Sequence, residues 1–280
     1  MGNNLEKILL IGPGSSLETL DPNLLKIFPT LYFGGSFRWF EKNNVCPTYW
    51  TFIDPNTITY FDSLINGISN YDKSHPNRYD YSSYINYLKN TLPHHKDFIT
   101  KLSQTTTLIY GSLQGSKDFY SNGFTTSRGP GWFEGEYKND VLPRVESHFK
   151  EVKKFPQNIC VNDYSSLYNT SLKHLSPIIT HEPNINTDKF VCYILPLVLS
   201  YFKELKEIEC VGFGDFNKPR LHNNTMEGYD GYKSSYERMK DQLINLLNFK
   251  NISINFKNKD SYFIELETFT NKKKQNNGIR

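Results

Sequence analysis

A short apolar segment near the start of the chain, Lys7 to Ile11, runs directly into the turn-forming sequence Gly12-Pro13-Gly14-Ser15-Ser16. An apolar run without alternation is typical of a parallel strand that is covered on both faces. Glycines directly after such a strand let the backbone turn sharply and approach a ligand closely. The chain contains no alanine, so the places where backbones meet must use glycine or serine. This segment predicts a strand followed by a tight connection of the α/β type.

Similar apolar runs recur along the chain and alternate with segments of helical periodicity. This alternation predicts an α/β fold, with a mostly parallel sheet flanked by helices. The further strands are predicted at Thr30 to Phe33, Tyr49 to Ile53, Thr107 to Tyr110, Ile159 to Val161, Ile208 to Phe213 and Ile252 to Phe256. Helices are predicted at Pro22 to Ile27 (with Asp21 as N-cap), 56–68, about 80–91, Thr187 to Lys203 and about 229–247.

The middle of the chain has a different character. Residues 70–180 are rich in Tyr, Asn, Ser and Lys, with many Gly and Pro after residue 111. We predict that this region is a large irregular and helical insertion within a single domain of residues 1–270. Residues 271–280 are polar and basic without a packing pattern, which predicts a disordered tail.

Composition excludes several classes of protein. A net charge of +3 is too weak to indicate nucleic-acid binding. No apolar stretch approaches the about 20 residues that a membrane span needs, and the N-terminus predicts no signal peptide. The four cysteines are far apart, which predicts reduced thiols, a cytoplasmic location and no metal site; they are Cys46, Cys160, Cys192 and Cys210.

The loop after the first strand is the strongest candidate for chemistry. Gly12 and Gly14 allow close approach of a ligand, and the hydroxyls of Ser15 and Ser16 can donate hydrogen bonds to a phosphate. The loop is not a dinucleotide fingerprint, because Leu17 stands where the third glycine would be. It is not a P-loop either, because no Gly-Lys-Ser/Thr follows. The alternative is a simple strand-to-helix turn.

Two aspartates follow predicted strands. Ligands of open α/β sheets bind beyond the carboxyl ends of the strands, where Asp54 and Asp215 would lie. Asp54 could bind a ribose or sugar hydroxyl, or it could simply form a turn before Pro55. Asp215 follows Gly212-Phe213-Gly214 and could serve as a base or bind a ligand hydroxyl.

Four short motifs, taken in their order and spacing, resemble a known family. They are Ile8 to Leu17, Tyr49 to Pro55, Thr187 to Phe190 and Leu205 to Asp215. Together they resemble the Campylobacter-type sialyltransferases and the related Rossmann-like domains of flagellin (motility-accessory) glycosyltransferases. The likeness covers roughly residues 5–70 and 180–258. Ser15 stands where the family has a proline, and Thr187-Asp188-Lys189 stands in place of Thr-Ser-Gly.

The resemblance implies a Rossmann-like glycosyltransferase that needs neither a divalent metal nor another cofactor. The donor would be a nucleotide sugar, with a CMP-linked, sialic-acid-like sugar as the family's example. The acceptor would be a glycan or small molecule. Either His222 or Asp215 would act as general base. Beyond the first loop, the donor-binding residues would include Gly35, Ser36, Asp54, Asn56, His181 and Thr187. No nucleic-acid partner is expected; peripheral membrane association and oligomeric state stay open.

Two other functions fit the same sequence. One is a pyrophosphokinase of the pterin-binding type, which would use ATP and Mg²⁺ at a similar loop. The other is a nucleotide- or glycan-binding module without catalysis. Ligand specificity and metal dependence would separate these alternatives.

Overall fold

The structure, a computed structural model, describes only part of the chain, from residue 5 to residue 267 with gaps. The described residues are 5–33, 37–52, 65, 97–110, 142–149, 152–154, 194–195, 198–199, 202, 204–215 and 229–267. The chain divides into two compact units. The first unit combines Met1–Trp39 with Val161–Arg280, and the second is Phe40–Cys160.

The described strands and helices alternate, as the sequence predicts. The strands are β1 (Lys7–Ile11), β2 (Thr30–Phe33), β3 (Tyr49–Phe52), β4 (Thr107–Tyr110), β5 (Val152–Lys154), β6 (Glu207–Val211) and β7 (Ser253–Phe256). A 3₁₀ helix covers Ser15–Thr19, and the α-helices are α1 (Leu24–Ile27), α2 (Arg38–Lys42), α3 (97–105), α4 (Leu142–Glu146) and α5 (Tyr229–Phe249).

In the described part of the first unit, four parallel strands lie in the order β2-β1-β6-β7. Leu9 of β1 pairs with Thr30 of β2, and Ile11 of β1 pairs with Val211 of β6. The chain therefore leaves β1 toward one side of the sheet and later returns to its other side at β6. In open α/β sheets, ligands bind at this reversal of strand order, beyond the carboxyl ends of the strands.

Among the described residues of the second unit, three parallel strands lie in the order β3-β4-β5. Trp50 of β3 is fully buried, and its ring lies 6.0 Å from that of Phe40. The hydroxyl of Thr106 donates a 2.7 Å hydrogen bond to the carbonyl of Pro47. This bond links the segments that directly precede β4 and β3. An apolar core fills this unit, including Leu102, Leu108, Ile109 and Val145.

The parallel α/β sheet flanked by helices is confirmed, while several boundaries differ from the prediction. α1 begins at Leu24 rather than Pro22. The carboxylate of Asp21 accepts the Asn23 amide (2.9 Å) and the Asp21 carbonyl accepts the Leu24 amide (3.1 Å), which are the bonds that the predicted N-cap would make. β5 lies within the region that the sequence predicts to be an irregular and helical insertion. In β7, Ile254 and Phe256 are buried and Asn255 is partly exposed, but Ser253 is buried as well.

Other predicted elements lie wholly or mainly outside the described residues. These are the helices at 56–68 and 80–91, the strand Ile159 to Val161, the tail 271–280 and much of the region 70–180. The predicted apolar helix Thr187 to Lys203 is described at five positions, all of them buried: Ile194, Leu195, Val198, Leu199 and Phe202. The single domain with an insertion stays a prediction. In the described ranges, no helix is both long and apolar enough to cross a membrane.

A network of ion pairs lies across β1, β6 and the end of β7. Lys7 Nζ lies 2.9 Å from Glu207 Oε1 and 2.7 Å from Glu209 Oε1, and Lys257 Nζ lies 2.9 Å from Glu209 Oε2. Burial alone would raise the pKa of Glu209, but its hydrogen bonds to Lys7 and Lys257 outweigh burial and lower that pKa. The network therefore favours the ionised carboxylate in the folded protein.

Replacing Glu209 with glutamine is expected to lower the free energy of unfolding by about 1 kcal/mol at neutral pH. Because folding lowers the pKa of Glu209, its contribution is complete above the unfolded pKa of about 4.3 and is lost as pH falls through the folded pKa. Thermal unfolding of both proteins between pH 7 and pH 3 measures this difference. Glu6→Gln is the control, because Glu6 and its partner Lys206 are both exposed. A difference that stays constant over this pH range would contradict the assignment.

Candidate functional site

Two glycine-containing loops meet where the strand order reverses. The first loop (residues 12–16) follows β1 and the second loop (residues 212–215) follows β6. The amide of Gly12 donates to the carbonyl of Val211 (2.8 Å), and the amide of Gly14 donates to the carbonyl of Gly212 (2.9 Å). In return, the amide of Gly212 donates to Ser16 Oγ (2.9 Å). The pairing of β1 with β6 thus continues into both loops.

Close packing of these loops on each other accounts for their glycines. A methyl group at Gly12 would overlap the Gly212 carbonyl and the Phe213 ring, and one at Gly14 would overlap the Asp215 carboxylate. Gly212 and Gly214 also have φ angles of +74° and +73°, a region that other residues rarely adopt. The fold therefore requires all four glycines, independently of any ligand.

Asp215 lies at the centre of this arrangement and is 8% exposed. Its Oδ2 accepts a 2.7 Å hydrogen bond from the amide of Ser16, and its Oδ1 accepts a 2.6 Å hydrogen bond from Asn258 Nδ2. One carboxylate thus joins the first loop, the second loop and the segment after β7. An ionised carboxylate has about four acceptor positions, so this one retains acceptor capacity for a ligand.

A third segment supports the second loop from the other side. We call residues 258–263, which follow β7, the brace. Ser261 Oγ donates to the Phe213 carbonyl (2.9 Å), and the amide of Tyr262 donates to the Gly214 carbonyl (3.0 Å). Neither Asn258 nor Ser261 is among the site residues predicted from the sequence. Their position in the sequence could have indicated them, because polar residues directly after β7 lie at the carboxyl end of the strand next to β6.

Ser15 is the exception among the polar groups of the first loop. The amides of Gly12, Gly14 and Ser16 all donate to partners within the fold, and Pro13 has no amide hydrogen. The Ser15 hydroxyl oxygen is buried but has no hydrogen-bond partner in the part of the chain that the structure describes. A buried hydroxyl without a partner is energetically unfavourable. A ligand that bonds to Ser15 would remove this penalty.

Five of the predicted site residues are therefore brought together: Gly12, Gly14, Ser15, Ser16 and Asp215. The others lie outside the described residues; they are Gly35, Ser36, Asp54, Asn56, His181, Thr187 and His222. Within the described ranges, no group of three or more His, Cys, Asp or Glu side chains could hold a metal ion.

Two solved structures are similar to this chain. One is the sialyltransferase CstII from Campylobacter jejuni in complex with the substrate analogue CMP-3FNeuAc; the alignment covers 94% of this chain and 85% of that chain, with 11% identity and a TM-score of 0.43. The other is sialyltransferase CST-II in complex with a trisaccharide acceptor and CMP. This alignment covers 93% of this chain and 84% of that chain, with 11% identity and a TM-score of 0.39. No protein-family model and no curated protein matches the chain.

Proposed function

We propose that this protein is a glycosyltransferase that binds a nucleotide sugar beyond the carboxyl ends of β1 and β6. It would transfer the sugar to a glycan or small-molecule acceptor. The observation that carries the proposal is the buried, unpartnered hydroxyl of Ser15, in a loop that Asp215 holds through the Ser16 amide. Both groups lie where α/β sheets bind their ligands. The motif resemblance in the sequence favours a CMP-linked sugar as donor.

Ser15 and Asp215 suit different parts of such a ligand. The Ser15 hydroxyl can donate a hydrogen bond to a phosphate oxygen. The Asp215 carboxylate repels a phosphate but accepts hydrogen bonds, so a ligand hydroxyl or amino group faces it. The remaining donor contacts within the same unit are assigned to the other residues predicted there: Gly35, Ser36, His181 and Thr187.

Proton transfer is assigned to His222 rather than to Asp215. Transfer with inversion needs a base that removes the proton of the acceptor hydroxyl. Each oxygen of Asp215 already accepts a hydrogen bond that fastens the loops together, so its role here is to bind and orient. A histidine titrates close to neutral pH, which suits a general base. The reaction would require no divalent metal.

Binding by the Ser15 hydroxyl is tested by thermal unfolding with CMP-, UDP- and GDP-sugars, with and without Mg²⁺. One of these ligands is expected to raise the melting temperature of the wild type, since ligands that bind only the native state stabilise it. Ser15→Ala is expected to weaken that ligand about tenfold, the effect of about one hydrogen bond to a charged group. Ser147→Ala, at an exposed serine, is the control. Unchanged affinity in Ser15→Ala would refute this role.

Replacement of His222 with alanine tests the base. Sugar transfer is expected to fall by roughly 10²–10⁴-fold, the usual contribution of general acid–base catalysis, while the Kd for the donor changes less than about twofold. Turnover and donor titration on the same preparation measure both values. His148→Ala, at an exposed histidine, serves as control. Equal turnover in His222→Ala and the wild type would remove His222 from the mechanism.

One observation favours a second candidate, a nucleotide-binding module without catalysis. The loop amides and the Asp215 carboxylate are engaged in holding the fold, which a binding module requires as much as an enzyme does. Nucleotide binding without sugar transfer to any acceptor would support this candidate. Activity with ATP that a chelator abolishes would instead indicate a pyrophosphokinase.

A further inference from the structure

The side chain of Asn258 is held in one orientation by its own local turn. Its Oδ1 accepts a 3.0 Å hydrogen bond from the amide of Asp260. An amide group has its oxygen on one side and its NH₂ on the other. With Oδ1 bound to Asp260, the NH₂ group faces away from the turn, and Nδ2 lies 2.6 Å from Asp215 Oδ1.

The Asp215 carboxylate is thereby held by one donor on each oxygen. Asn258 binds Oδ1 from the brace, and the amide of Ser16 binds Oδ2 from the first loop. Two hydrogen bonds to different oxygens fix both the position and the plane of a carboxylate. Removal of the Asn258 donor would leave only the bond from Ser16, and the carboxylate could then rotate about its side-chain bonds.

We infer that Asn258 is a positioning residue, which orients the Asp215 carboxylate so that its remaining lone pairs accept a hydroxyl or amino group of the ligand. The inference rests on the proposed function, since it assigns Asp215 a ligand. It adds a residue outside the four motifs that the sequence singled out. It also states the chemistry of the ligand group at this position, which is a hydrogen-bond donor and not an anion.

A purely local role of Asn258 makes a different prediction. Asparagine and aspartate form this type of turn equally well, because each accepts the backbone amide with a side-chain oxygen. If Asn258 served only the turn and its NH₂ group did not bind Asp215 in solution, Asn258→Asp would behave like the wild type. If it positions Asp215, the same variant places a second carboxylate against the first, and like charges at this distance repel.

The experiment compares Asn258→Asp and Asn258→Ala with the wild type. Asn255→Ala is the control, because Asn255 lies on β7 and its Nδ2 contacts Glu207 Oε1 at 3.5 Å, away from both loops. The first readout is the Kd for CMP, UDP and GDP. The second is the hydrogen-exchange rate of the Ser16 amide, which donates to Asp215 and needs no ligand.

We expect Asn258→Ala to weaken the best of these nucleotides about tenfold and Asn258→Asp to weaken it more. The Ser16 amide should exchange at least about tenfold faster in both variants, and the control should match the wild type in both readouts. Wild-type binding in Asn258→Asp, or an unchanged Ser16 exchange rate in Asn258→Ala, would overturn the inference. If the wild type binds no nucleotide, the proposed function fails. The Ser16 exchange rate then decides alone whether Asn258 positions Asp215.

Discussion

Gly212→Ala is expected to lower the free energy of unfolding by about 3 kcal/mol. A left-handed conformation costs a non-glycine residue about 1–2 kcal/mol, and Gly212 has a φ angle of +74°. The new methyl group would also overlap the carbonyl of Gly12, and a backbone atom cannot move aside as a side chain can. Overpacking of this kind adds about 1–3 kcal/mol. Denaturant unfolding, with its midpoint and slope, measures the total.

Asn251→Ala provides the matched control for this prediction. Asn251 also has a positive φ angle (54°) but is exposed, so an alanine there meets the conformational penalty without the overlap. We therefore expect about 1 kcal/mol for this variant. If Gly212→Ala destabilises the protein no more than Asn251→Ala does, the two loops are not packed as described.

Asp215→Ala is the second substitution with a large expected effect. It removes the acceptor of both the Ser16 amide and Asn258 Nδ2, which are partly buried. Each unsatisfied donor costs about 1–3 kcal/mol, so we expect a loss of about 3 kcal/mol in the free energy of unfolding. The melting temperature should fall by roughly 6–12 °C. Stabilisation by nucleotide, measured in the same thermal experiment, should also be lost.

Two comparisons separate these effects. Asp241→Ala makes the same change of charge at an exposed position on α5. It should leave both the free energy of unfolding and the stabilisation by nucleotide unchanged. Asp215→Asn preserves the shape of the side chain but points an NH₂ group at one of the two donors, so it should recover little of the stability. Full recovery by asparagine would show that the carboxylate is not needed to join the loops.

Most of the strands could be predicted because apolar residues occupy at least half of their positions. The run Lys7 to Ile11 and the segment around Cys210 become adjacent strands, and both are buried except at their first residues and at Glu209. β5 could not be predicted, because its three residues include two lysines and its pairing with β4 depends on tertiary structure. At the start of α1, Asp21 accepts the Asn23 amide as the sequence predicts for a capping residue, although the helix itself begins at Leu24.

The candidate site was predictable in part for a similar reason. Glycines and an aspartate after apolar strands indicate a site, and Gly12, Gly14, Ser15, Ser16 and Asp215 do come together. What the pattern could not show is that the glycines contact each other across about 200 residues of sequence. That contact follows from the β1–β6 register, in which Ile11 lies opposite Val211. Position after a strand applies to Asn258 as well, but it does not distinguish a site residue there, since an asparagine after a strand is usually only a turn residue.

Hydrogen exchange of the wild type with and without nucleotide tests the central claim most directly, because it locates the ligand. CMP and a CMP-sugar are the first ligands to use. The account predicts slower exchange in peptides that cover Gly12 to Leu20 and Gly212 to Asp215. Peptides that cover α3 (97–105), where no contact is proposed, should exchange at the same rate with and without ligand. Protection confined to other parts of the chain, with both loops unchanged, would contradict the proposed site.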